Sequence, residues 1–112
     1  MFLSFEFQIP KNTPALTPKI ERFDMGVNAA FIKGVEVVIP EGHKGLARMK
    51  ISTSQQQIIP ALGSGTTHIR GDKQTIRTSV NTRVPGVPYY LICEGYNEDL
   101  FLAHSFIINI EV

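Results

Sequence analysis

Val35-Glu36-Val37-Val38-Ile39-Pro40-Glu41-Gly42-His43-Lys44-Gly45-Leu46-Ala47-Arg48-Met49-Lys50-Ile51 reads as strand, turn, strand. Val35, Val37 and Ile39 fall at every second position, which lines one apolar row along one face of an extended segment. Pro40 removes a backbone donor and ends that segment. Gly42 and Gly45 then supply the backbone freedom a reversal needs. The chain resumes with Ala47, Met49 and Ile51 facing one way and Arg48 and Lys50 the other. The two halves are expected to pair as a hairpin, with the other strands added around it.

Upstream, Leu3, Phe5, Phe7 and Ile9 share one face and Ser4, Glu6 and Gln8 the other, as in a half-buried strand over residues 2–9. Pro10, Pro14 and Pro18 follow at regular spacing, so this segment is neither helix nor central strand. Residues 1–18 therefore read as an N-terminal strand plus a Pro-spaced arm. Residues 19–32 fit two patterns. Ile20, Phe23, Val27, Ala30 and Phe31 match helical spacing, with Thr17-Pro18 as cap and first helical residue. Gly26 and Asn28 oppose a helix. The preferred reading is a short strand near 19–25, a bend at Gly26 and a long strand from about residue 30 to Ile39.

Downstream, Gln56–Ile59 is a brief strand ended by Pro60, and Gly63-Ser64-Gly65 is a loop by composition. Thr66–Arg70 and Gln74–Asn81 flank Gly71-Asp72-Lys73 as a second expected hairpin. Pro85, Gly86 and Pro88 break the chain, Tyr89–Tyr96 is a strand and Asn97-Glu98-Asp99 a polar turn. Phe101–Val112 closes the chain with Leu102, Phe106, Ile108, Ile110 and Val112 on one face. About eight short strands punctuated by Gly and Pro indicate a single all-β domain over 1–112, an antiparallel β-sandwich of jelly-roll-like kind. No helical stretch is long enough for the crossovers of a parallel sheet.

A chain of 112 residues with 43% hydrophobic content supports one core. A formal net charge of +1 argues against nucleic acid as a partner. The opening apolar run has no basic flank and is interrupted by Glu6, and no run reaches the roughly 20 apolar residues of a membrane span. A soluble protein without signal peptide or membrane partner is expected. The single cysteine, Cys93, excludes an internal disulfide and reads as a small buried hydrophobe.

The search for chemistry returns little. His43, His68 and His104 lie in separate segments without metal-ligand spacing. His43 reads as a solvated turn residue, and His104 shares the face of Leu102 and Phe106. Glu98-Asp99 lacks the spaced acids of a calcium loop. Gly63-Ser64-Gly65-Thr66-Thr67 lacks the lysine of a phosphate loop, and no nucleophile motif occurs. No catalytic residue, metal or cofactor is assigned, and the chain is read as a non-enzyme. Arg70-Gly71-Asp72 spells an integrin-type tripeptide, for which a hairpin turn is the simpler reading. A sugar site would draw on Tyr90 and Tyr96, since the chain has no Trp.

The string Gly34–Ala47, together with Ile59-Pro60, Arg70-Gly71-Asp72, Tyr96-Asn97-Glu98-Asp99 and His104, resembles short all-β virion-associated proteins of tailed phages and archaeal viruses. The likeness covers roughly residues 30–112 and rests on turn-and-strand patterns. It implies a β-sandwich that decorates or cements a capsid, partnered by the capsid protein and by copies of itself as a homo-oligomer. Such a protein is made in the host cytoplasm and resides in the virion. The physical reading adds that Phe2, Leu3, Phe5 and Phe7 are candidates for an assembly interface by strand addition, or alternatively for this domain's own core. A carbohydrate- or receptor-binding module through Tyr90 and Tyr96 is the alternative, and a small metal-dependent enzyme ranks last.

Overall fold

The structure, a computed structural model, describes residues 2–26, 29–54, 56–60, 68–84 and 89–112. The expected loop at Gly63-Ser64-Gly65, the break at Pro85, Gly86 and Pro88, and Thr66 and Thr67 lie outside them. The described residues form eight strands: β1 (Phe2–Ile9), β2 (Lys19–Asp24), β3 (Phe31–Ile39), β4 (Ala47–Ser52), β5 (Gln57–Ile59), β6 (Gln74–Arg83), β7 (Tyr90–Asn97) and β8 (His104–Glu111). They form two four-stranded sheets, ordered β1-β8-β3-β6 and β2-β7-β4-β5, with every pair antiparallel. The chain is an all-β sandwich.

Period-two alternation decides which side chains meet between the sheets. Phe7 and Ile9 of β1, Val35, Val37 and Ile39 of β3, and Phe106, Ile108 and Ile110 of β8 are buried from one side. Met49 and Ile51 of β4 and Leu91 and Cys93 of β7 are buried from the other. Burying an aliphatic or aromatic side chain of this size contributes about 1.5–3 kcal/mol, so these rows dominate the folding free energy. The strand reading of residues 19–25 holds as β2, and Gly26 bends the chain with φ +82°.

Two pairings differ from expectation. β3 and β4 do not form a hairpin: β3 lies between β8 and β6, and β4 lies between β7 and β5 in the other sheet. Residues 40–46 cross the roughly 10 Å between sheets instead of folding β4 back beside β3. Gly42 and Gly45 make the crossing with φ of +105° and +71°. Both apolar rows point inward, as the alternation indicated, but they face each other across the core. Likewise Ile69 does not join a hairpin with β6. It exchanges backbone hydrogen bonds with Met49 (2.7 and 3.0 Å), and β6 pairs with β3.

Strand β8 begins at His104, later than the expected Phe101. Asp99 Oδ1 accepts the N–H groups of Phe101 and Leu102 (2.9 and 3.1 Å), which curls the chain out of strand geometry and leaves Leu102 exposed. The Pro-spaced arm is tied to this turn, since Asn12 N donates to Asp99 O and Thr13 exchanges backbone hydrogen bonds with Asn97. Asn97 is the knot. Its buried side chain donates to Leu102 O (2.9 Å) and Ile9 O (3.3 Å) and accepts from Asp99 N (3.0 Å). Asn97→Ala would leave those groups short of partners, and chemical denaturation should show a loss of about 1–3 kcal/mol.

Candidate functional site

Three places in the sandwich concentrate chemistry. The first is a histidine cluster at the end closed by residues 40–46 and 97–103. His43 is 2% exposed rather than solvated. The crossing turn folds inward and lays its ring 4.6 Å from that of His104 and edge-on to Phe106 at 4.8 Å. His43 Nε2 lies 2.8 Å from Ser105 O. A carbonyl only accepts, so Nε2 carries the proton and the neutral ring keeps a bare lone pair on Nδ1. That Nδ1 is buried without a hydrogen-bond partner among the described residues. His104 Nε2 lies 2.8 Å from Asp99 Oδ2.

Electrostatics follow from this packing. Desolvation pushes the His43 pKa down, the neighbouring His104 adds to that, and Ser105 O and Asp72 oppose it. The N–H of Phe101 and the ring of His104 hold the Asp99 carboxyl below its usual range. Burial works to raise Asp72, but the backbone N–H groups of Gly42, Lys44 and His43 outweigh it and leave the carboxyl lowered. Gly42 N reaches Asp72 Oδ1 at 2.8 Å, so the acid of Arg70-Gly71-Asp72 is engaged in holding the crossing turn.

A carboxylate–imidazole pair such as Asp99–His104 can orient a base, but a nucleophile is needed beside it. Ser105 Oγ donates instead to Glu6 (3.0 Å). Cys93 is fully buried in the core, with its thiol pKa raised by desolvation and by Glu21. Among the described residues no group of three His, Cys, Asp or Glu is placed to hold a metal ion. The cluster's visible work is to pack and pin three loops together.

The second place is an open groove of about 680 Å³ on the outer face of the β1-β8-β3-β6 sheet, over Gly34 and between Phe2, Glu36, Arg77, Asn109 and Glu111. Its polar groups bond one another. Arg77 Nε donates to Glu36 Oε2 (2.8 Å), Asn109 Nδ2 donates to Glu36 Oε1 (3.2 Å), and Ser4 Oγ donates to Asn109 Oδ1 (2.8 Å). The Arg77 and Asn109 bonds lower the Glu36 pKa. The third is the outer face of β7, where Tyr90 and Tyr96 both lie. Six positions separate them, about 20 Å along a strand, too far to sandwich one sugar ring. Tyr96 accepts a hydrogen bond from Arg48 Nη1 (3.0 Å) and meets the His68 ring edge-on.

The four N-terminal residues divide. Phe7 is fully buried in this chain's own core, which removes it from the candidate interface, and Leu3 and Phe5 pack partly buried against that core. Phe5 stacks on Phe23 at 4.9 Å. Phe2 points to the opposite face and is 73% exposed. The proximity of His43 and His104 had one sequence signal, the position of His104 on an apolar strand face. Nothing local marked His43.

Compared with known proteins, the chain matches no family model, no curated protein and no solved structure.

Proposed function

We propose that this chain is a non-enzymatic structural subunit of a virion, one that decorates or cements a capsid through the edges and apolar rims of its sandwich. The observation that carries the reading is β1. It is the outermost strand of its sheet, continuous over eight residues, and its apolar inner row is only half covered at the N-terminal end. An exposed strand edge of this kind is a template for another chain. Apolar side chains also crowd the loop end, where Leu16 is 95% and Phe101 81% exposed, with Leu100 and Leu102 beside Phe101 in sequence. The orders β1-β8-β3-β6 and β2-β7-β4-β5, in which successive strands change sheet except for the β4-β5 hairpin, support the jelly-roll form, a frequent architecture of capsid proteins.

Cosedimentation with capsid shells lacking the subunit tests this. Saturable binding is expected, weakened at least tenfold by Phe101→Asp paired with Leu102→Asp, both exposed and outside the core. Failure of the purified chain to bind shells, with glycan binding by the monomer that Tyr90→Ala abolishes, would replace the reading by the carbohydrate-binding alternative.

A further inference from the structure

We propose that β1 pairs with β1 of a second copy across a two-fold axis at Ser4, joining the two β1-β8-β3-β6 sheets into one continuous sheet. This rests on the assembly reading above and names the partner of the same surface.

Each of the other sheet edges carries a feature that discourages strand addition. Edge strand β2 turns Lys19 and Glu21 toward the interior side, where they form an ion pair at 3.5 Å. Strand β5 has only three residues. Strand β6 is kinked by a bulge: Ile32 pairs with Thr82 and Gly34 with Ser79, so Val80 and Asn81 both stand opposite Lys33, with Asn81 at φ +47°. Strand β1 has no proline and no bulge. It stays in one register with β8 from Phe2↔Glu111 to Ile9↔His104.

The same strand dictates the register. Lys19 Nζ donates to Gln8 O at 2.7 Å, so the Gln8 carbonyl faces away from β8 and is already occupied. In an antiparallel ladder such groups alternate, so the N–H and C=O of Phe2, Ser4 and Glu6 face the same open edge. Pairing about Ser4 sets Ser4 opposite its copy, Phe2 opposite the partner's Glu6 and Leu3 opposite the partner's Phe5. That allows up to about six interchain backbone hydrogen bonds. It also places the half-covered Leu3 and Phe5 side chains against each other on the core side. A centre at Phe5 would need the occupied Gln8 carbonyl. A centre at Glu6 would set two carboxylates directly opposite. A slip to odd register would turn the apolar row against the polar one.

Sedimentation velocity on the full chain over a range of concentrations, with circular dichroism to confirm folding, tests this. The wild type is expected to dimerise. Ser4→Pro removes an edge-facing N–H that β8 does not use, so the fold should persist while the dimer weakens about thirtyfold or more. Arg83→Ser, exposed on β6 at the opposite edge of the same sheet, should leave dimerisation unchanged. A short bifunctional thiol reagent should join Ser4→Cys chains, whereas Glu6→Cys sites lie about 13 Å from each other and stay separate. A wild type monomeric at every concentration, with no Ser4→Cys cross-link, overturns the self-pairing. If that monomer still binds capsid shells and Ser4→Pro abolishes the binding, the edge serves a strand of the shell protein, and the assembly reading survives without the dimer.

Discussion

Phe7→Ala is expected to lower the unfolding free energy by about 3–5 kcal/mol, a large part of the 5–15 kcal/mol typical of a domain this size. Phe7 is fully buried and faces the second sheet where Gly95 sits in β7. A Cβ on Gly95 would come within 2.6 Å of Ile9 Cδ1, 2.7 Å of Arg48 O and 3.2 Å of Phe7 Cε2. The side chains of Ile9 and Phe7 therefore rest on the bare backbone of Gly95, beside Arg48 O of the neighbouring strand β4, and with no side chain at position 95 β7 has nothing to swing into the volume an alanine would leave. The cost should be the lost transfer energy plus an unrelieved cavity. Equilibrium urea denaturation reads it as a fall in midpoint with an unchanged slope. A loss below about 1 kcal/mol would mean that Phe7 is not a core residue of the isolated chain, and would return it to the set of assembly residues with Phe2.

The same strand shows what local sequence can and cannot report. Alternation along Leu3–Ile9, Val35–Ile39 and Ala47–Ile51 depends only on neighbouring residues, and it identified the inward rows correctly. Which strand lies beside which is non-local. Two inward rows joined by a glycine-rich turn are compatible with neighbours in one sheet or with facing strands in two. The fold takes the second arrangement, and the positive φ values of Gly42 and Gly45 carry the chain across. Ile69 illustrates the same limit: its pairing with Met49 depends on where β4 lies, not on the hairpin-like spacing around Gly71. Leu102 failed for a local reason. Alternation continues through it, but Asp99 supplies a side-chain acceptor that competes with strand geometry. Tyr90 and Tyr96 were correctly placed on one strand, yet site formation needs convergence, and strand rise alone separates them.

His43 leads to the second large effect. Acidification from pH 7 toward pH 5 should destabilise the wild type, with the loss beginning near the ordinary histidine value of 6.5. Burial and the adjacent His104 lower the folded-state pKa of His43, so between that lowered value and 6.5 the unfolded chain binds the proton and the folded chain resists it. Stability is therefore complete above 6.5 and declines as pH falls below it. Around the ring stand His104 from β8, with Asp99 behind it, and Asp72 from the 71–73 loop, which attracts the imidazolium and opposes the trend without overcoming it. Asp72 and Asp99 have lowered folded-state values against an ordinary 3.8, so their own contributions persist to much lower pH and are lost in a separate, more acidic window. Replacing the ring by His43→Phe keeps an aromatic body against Phe106 but leaves Ser105 O without its donor, so the variant should be less stable at neutral pH. Its stability should nevertheless be flatter than that of the wild type between pH 6.5 and 5. Thermal melts of both proteins across that interval decide the matter, and equal slopes would show that the buried Nδ1 is not where the proton acts.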